Sequence, residues 1–209
     1  MGGIPFGYLL GRCVLKDDIR NHGSGNIGAT NVARVIGWKW GGLVLLLDAL
    51  KGFLPTYAAA QFAVSNLPDS FHWHVPVAAG MSAIVGHMYP VYLKLRGGKG
   101  VATALGVVLV LAPESVGAAF LVFVVVAGTT RLVALGSILA ALVFGGTQLY
   151  LMRDHLTEPR SLSLTAFAIA IPLLIVWRHR SNIARLLTGT ENRVNAPASG
   201  EADQNNESV

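Results

Sequence analysis

Apolar residues gather in seven runs along the chain, roughly 2–14, 41–64, 75–93, 101–112, 113–128, 132–151 and 162–177, with short polar stretches between them. Runs of this kind predict helices, because a bilayer offers no partner to an unpaired backbone N–H or C=O. A crossing needs about 20 apolar residues. The first run is short for that, and the expected explanation is a true start upstream of Met1. Nothing near Met1 reads as a cleavable signal peptide. Pro113 divides 101–128, which by length alone is either one kinked helix or a hairpin of two. The closing residues, TGTENRVNAPASGEADQNNESV, are small and polar without apolar periodicity. They read as a disordered cytoplasmic tail over 188–209, after a membrane-embedded domain over 1–187.

Charge orders these runs across a membrane. Lys16, Arg20, Arg34 and Lys39 lie in the loop 15–40, Lys94, Arg96 and Lys99 in 94–100, and Arg178, Arg180, Arg185 and Arg193 near the end of the chain. The loop 65–74 has no Lys or Arg, and 152–161 offsets Arg153 and Arg160 with Asp154 and Glu158. The positive-inside rule therefore assigns the first three regions to the cytoplasm. Returning from 94–100 to the same side at 178 takes an even number of crossings. That favours a split at Pro113 and an all-α bundle of about seven transmembrane helices with its amino terminus outside; a five-crossing arrangement keeps the same parity. Only 13% of residues are charged, about half the share in soluble domains. The net charge of +5 is spread between apolar runs rather than massed in a patch, which argues against nucleic acid as a partner. Cys13 is the lone cysteine, so neither a disulfide framework nor a Cys-cluster metal site is expected.

Three polar loops then fall on one membrane face. In GSGNIGATNVAR the glycines let backbone N–H groups approach an anion. A helix beginning near Asn26 would align Asn26, Thr30 and Arg34 on one side with Asn31 beside them, and would set Ser24 at its amino end. An ordinary capped interfacial helix has the same spacing. In GHMYPVYLKLRGGKGVATAL, Gly97, Gly98, Lys99 and Gly100 precede an apolar run opened by Val101, Ala102 and Thr103. A flexible positively charged turn has the same composition, and Gly100 after Lys99 excludes a Walker A loop. In WRHRSNIARLLTGTE, His179, Asn182 and Arg185 are spaced along one helix face. Asp48 and Lys51 lie one helical turn apart within the second run, where the simplest role is a structural ion pair. No His-x4-Asp motif, paired-aspartate metal motif or zinc site is found.

GIPFGYLLGR, GSGNIGATNVAR, DALKG, GHMYPVYLKLRGGKGVAT and HRSNIARLLTGTE, in this order from about residue 3 to 191, resemble the bacterial acyl-phosphate:glycerol-3-phosphate acyltransferases, the PlsY family. The resemblance implies transfer of a fatty acyl group from acyl-phosphate to the 1-position of glycerol-3-phosphate at the inner membrane, giving lysophosphatidate and phosphate with no cofactor or metal. It implies membrane lipids, and an enzyme that makes acyl-phosphate, as partners. It assigns catalysis to His179, Ser24 and Asn182, and phosphate binding to Arg34, Lys99, Gly25, Asn26, Thr30, Asn31, Gly97, Gly98, Gly100, Thr103 and Ser137. Asp48, Lys51, His87, Arg185 and Glu191 become supporting residues. Many members carry a serine where this chain has Ala134, which leaves Ser137 as a candidate replacement. The proton of the attacking hydroxyl goes either to His179 or to a substrate phosphate. The main alternative is a transporter for a phosphorylated metabolite, but such proteins place their site at the midplane between related halves, and this chain shows no internal repeat.

Overall fold

The computed structural model describes residues 1–194, and the described residues contain helices and no strand. Each of the seven apolar runs holds one main helix: α1 (Phe6–Val14), α3 (Trp38–Asn66), α4 (His74–Met88), α5 (Val101–Leu111), α6 (Pro113–Thr130), α7 (Val133–Leu151) and α8 (Leu162–Arg178). Two short helices complete the set, α2 (Ala29–Val35) and α9 (Arg180–Leu187). Pro113 does split its run, because it opens α6 at the first helical position, where its missing N–H leaves no hydrogen bond unmade. The run over 75–93 stops being α-helical at Met88; Pro90 disfavours helix in the residue before it, and Val91–Leu93 form a single tight turn.

Three helices, α3, α6 and α7, are individually long and apolar enough to cross a membrane, and α8 with α9 makes a fourth candidate bent by 59° at His179. Their outward surfaces are apolar too. Along α6 only Ser115 is buried, and Phe120, Leu121, Val124 and Val125 face outward. Such a surface is costly in water and neutral in lipid.

One core joins α4, α5, α7 and α8 through Ile84, Met88, Val107, Leu111, Phe144, Phe167, Ile171 and Ile175. A smaller one, around Ile19, Ile27, Val32, Val44 and Leu93, packs the amino-terminal loop against α3. Close helix approach depends on small residues, as in membrane bundles generally. A β-carbon at Gly52 would strike the Thr103 carbonyl, and one at Gly106 the Ala49 carbonyl, so α3 and α5 lie backbone to backbone. Gly145 likewise receives Pro172 of α8 against α7.

The segment after α9, expected to begin the tail, turns back to the bundle. Gly189 takes a left-handed φ of 71°, Glu191 returns to α9, and the Val194 N–H donates to the Arg131 carbonyl at 2.9 Å. The remainder of the expected tail, 195–209, lies outside the described residues.

Candidate active site

A cavity of about 140 Å³ sits where the amino-terminal loop, the 97–100 turn and the α8–α9 bend meet. Ser24, Asn26, Thr30, Asn31, Arg34, Asp48, His87, Lys99, Gly100, Ser137, His179, Asn182 and Glu191 line it. All three polar loops picked out by spacing therefore contribute to one site. Directly beside it runs an apolar groove of about 180 Å³ between α5 and α6, with α7 and α8 as its floor. Leu45, Val101, Ala102, Phe123 and Ser137 border both spaces.

The loop before α2 is built differently from its expected form. The helix starts at Ala29, not near Asn26, and Asn26 instead accepts a hydrogen bond from the Gly28 N–H at 2.8 Å. Thr30 and Arg34 keep their shared helical face. Ser24 stands five residues ahead of the helix. Asn31 is 2% exposed and its amide is used within the loop: it accepts from the Ser24 N–H at 2.7 Å and donates to the carbonyls of Ile19, His22 and Asn26. It shapes the loop rather than offering itself to an anion. Gly25, at φ 67°, lies in a neighbouring surface cleft with Arg20, Lys94 and Arg96, away from the cavity.

The second turn also departs from the expected phosphate nest. The Gly97 and Gly98 N–H groups donate to the Met88 and His87 carbonyls, terminating α4. Their own carbonyls accept from the Arg178 guanidinium at 2.8–3.2 Å. A β-carbon at Gly98 would collide with the His87 ring. These two glycines hold the turn shut, and the part of this segment that faces the cavity is Gly100 with the first turn of α5. Gly100 adopts a left-handed φ of 85° as the amino cap of α5, and Val101 and Ala102 border the cavity in that turn. Its unpaired N–H groups and dipole favour negative charge. A glycine and a cation just ahead of an apolar run are the sequence signal for Val101 and Ala102. Thr103 is fully buried in the α3–α5 contact and does not reach the cavity.

The lining carries two cations, Arg34 and Lys99, and two carboxylates, Asp48 and Glu191. Each carboxylate is already paired with a cation outside the lining, Lys51 and Arg185 respectively, so the balance around the cavity is positive. Burial pushes Lys99 down to about 8; Glu191 draws it back up, while Arg185, Arg34 and Arg178 repel a charge there. Ser137 donates to the Val133 carbonyl at 2.8 Å, and Ala134 lines the cavity with no hydroxyl to offer. His179 donates from Nδ1 to the Ile175 carbonyl at 2.8 Å. Since a carbonyl can only accept, the neutral ring has Nε2 free as an acceptor. Behind the cavity, Lys51 pairs with Asp48 at 2.7 Å, both about 3% exposed, and donates to the Ile4 carbonyl at 2.8 Å. Lys51 and Arg185 support lining residues without lining the cavity themselves. Among the described residues, no cluster of acidic, histidine or cysteine side chains is arranged to hold a metal.

Comparison with known proteins gives this arrangement its kin. The family profile described as "Glycerol-3-phosphate acyltransferase" matches residues 1–189. The chain is 50% identical over 192 residues to a glycerol-3-phosphate acyltransferase of Myxococcus xanthus, covering 92% of this chain and 93% of that one. It is 47% identical over 196 residues to another of Syntrophotalea carbinolica, covering 94% and 93%. The crystal structure of PlsY, an integral membrane glycerol 3-phosphate acyltransferase, in its glycerol 3-phosphate form superposes with a TM-score of 0.78 at 42% identity, over 92% of this chain and 90% of that one. Its lysophosphatidic acid form gives 0.74 at the same identity, over 92% and 89%. A polar cavity opening on an apolar groove in a membrane bundle, matched along nearly its whole length, identifies the chain as an integral membrane member of the glycerol-3-phosphate acyltransferase family.

Proposed function

We propose that the protein transfers a fatty acyl group from acyl-phosphate to the 1-hydroxyl of glycerol-3-phosphate, releasing lysophosphatidate and phosphate, from the cytoplasmic face of the bacterial inner membrane. The observation that carries this is the continuity of a cationic cavity with an apolar groove at Leu45, Phe123 and Ser137. One substrate with an anionic head and a long tail fits both spaces at once, and a second, small phosphate ester fits the cavity alone. The distribution of Lys and Arg supports seven crossings with the amino terminus outside. The cavity's reliance on loop residues and helix ends, rather than on midplane residues of two related halves, speaks against transport.

In the proposed reaction the acyl tail lies along α5 and α6, and the acyl carbonyl sits at the neck between cavity and groove. Arg34, Lys99 and the first turn of α5 hold the two phosphates through charge-assisted hydrogen bonds. Ser24, Asn26 and Thr30 complete the rim. The 1-hydroxyl oxygen attacks the carbonyl carbon, the carbon–oxygen bond to phosphate breaks, and the hydroxyl proton passes to a phosphate oxygen. Phosphate is a good leaving group, so the demands on the protein are orientation and stabilisation of developing negative charge. His179 positions the 1-hydroxyl on binding by accepting its hydrogen bond at Nε2, and as attack begins the hydroxyl hydrogen turns from Nε2 to the phosphate oxygen that takes the proton. The donor is supplied by a separate enzyme that makes acyl-phosphate. Purified protein given both substrates should release phosphate in step with lysophosphatidate; absence of both products with a verified donor would end the proposal.

His179→Asn should lower turnover by about tenfold while the pH profile keeps its shape, because a phosphate dianion of pKa about 6 is an adequate base in the same site. A loss of about two to four powers of ten, with a flattened acid limb, would instead make His179 the base. For Lys99 the sign is set by its depressed value of about 8. Its charge is present below that value and lost as pH rises through it, so kcat/KM for glycerol-3-phosphate should fall on the alkaline side with a midpoint near it. Lys99→Arg should abolish that limb, since arginine stays charged; an unchanged limb would remove Lys99 from the cause.

A further inference from the structure

Two acceptors are fixed at the bend between α8 and α9. One is His179 Nε2, left free because Nδ1 donates to the Ile175 carbonyl. The other is the Asn182 side-chain carbonyl, which is buried and has no partner among the described residues. Its orientation is not arbitrary. Asn182 Nδ2 donates to Glu191 Oε1 at 2.7 Å, while Glu191 Oε2 accepts from Arg185 Nε at 2.8 Å. A carboxylate accepts and cannot donate, so Asn182 must turn its NH₂ towards Glu191 and its oxygen the other way. The Glu191 side chain is 8% exposed with both carboxylate oxygens engaged, and Asn182 itself is 3% exposed.

Building on the proposed acyl transfer, we infer that Glu191 is the residue that makes the site choose an alcohol over a ketone at the 2-position of the acceptor substrate. Glycerol-3-phosphate has two hydroxyl donors. His179 Nε2 takes the reacting 1-hydroxyl, and Asn182 Oδ1 takes the 2-hydroxyl. The 2-keto counterpart, dihydroxyacetone phosphate, keeps the 1-hydroxyl and the phosphate but presents only acceptor lone pairs at carbon 2. Against a locked, buried Asn182 oxygen it leaves two acceptors facing each other, and sites built to bond a hydroxyl reject such analogues strongly. Glu191 does not touch the substrate; it acts through Asn182 as a positioning residue.

The test is Glu191→Gln, which keeps shape and removes the charge. Arg185 still demands an acceptor, so the new amide turns its oxygen to Arg185 and its NH₂ to Asn182. Asn182 must then flip, offering NH₂ to carbon 2 of the substrate. The unmodified protein should favour glycerol-3-phosphate over dihydroxyacetone phosphate by at least about tenfold in kcat/KM. Glu191→Gln should shrink that ratio by at least about tenfold, because the flipped amide donates to the ketone. In an Asn182→Ala background, Glu191→Gln should leave the ratio unchanged, since the flipping group is gone. The same ratios are read as affinities by calorimetry without acyl donor, so failure of acyl transfer and failure of this inference are seen separately. Glu191→Gln weakening both ligands alike, with the ratio preserved, would make Glu191 a simple anchor and overturn the inference, as would an unmodified protein that takes both ligands equally.

Discussion

Lys51→Met is expected to destabilise the protein by about 3–5 kcal/mol, the cost of leaving one member of a buried ion pair without the other. Lys51 and Asp48 are each about 3% exposed and 2.7 Å apart. Their surroundings offer little in exchange: His87 Nδ1 is 3.7 Å from the Asp48 carboxylate and has no other partner among the described residues. Lys51 also ties the chain's start to α3, through its bond to the Ile4 carbonyl and its position 5.4 Å from the Phe6 ring centre. Denaturant titration in detergent micelles measures the loss. Adding Asp48→Asn to Lys51→Met should recover more than half of it, because the uncompensated charge is then gone. A single variant within about 0.5 kcal/mol of the parent would show that the pair is incidental.

Arg34→Ala and Lys99→Ala should each lose charge-assisted hydrogen bonds to phosphate of about 1.5–3 kcal/mol. We expect KM for glycerol-3-phosphate to rise at least tenfold in one of the two. The two cations approach one cavity from different elements, α2 and the 97–100 turn, so their effects need not add; the double variant should fall below either single one without reaching the sum. Unchanged kinetics in both singles would remove them from the site. A fall in turnover at constant KM would move their action from binding to the transition state.

Helices are legible in the sequence because a bilayer makes apolar length and helicity nearly the same property. Their ends are legible where proline opens a helix, at Pro113. They are harder to see where an apolar run continues past the helix itself, as it does through Pro90. The site is legible as a set of loops and less so as a set of contacts. Spacing brings Ser24, Arg34, Lys99, His179 and Asn182 to one face, and all five line the cavity. Spacing does not tell which polar groups are consumed internally. Asn31, Gly97 and Gly98 look like anion ligands by type, yet their hydrogen bonds close on the protein's own backbone, because a buried loop must satisfy itself before it can serve a ligand. Glu191 resists reading for the opposite reason. A carboxylate near an anion site looks out of place until its two partners, Asn182 and Arg185, are seen together.

The groove between α5 and α6 has Phe120, 55% exposed, and Leu45, 48% exposed, on its lip, so it is unroofed towards the surrounding lipid. A tail can therefore slide in and out sideways without ever meeting water. For such a protein the donor is a two-dimensional solute: what governs saturation is its mole fraction in the leaflet, and bulk molarity matters only for glycerol-3-phosphate. In the proposed reaction the product leaves along the same lane, already dissolved in the membrane phase. While it lingers it competes with incoming donor for the lane and with incoming acceptor for the headgroup pocket, so flux responds to how quickly the membrane draws the product away.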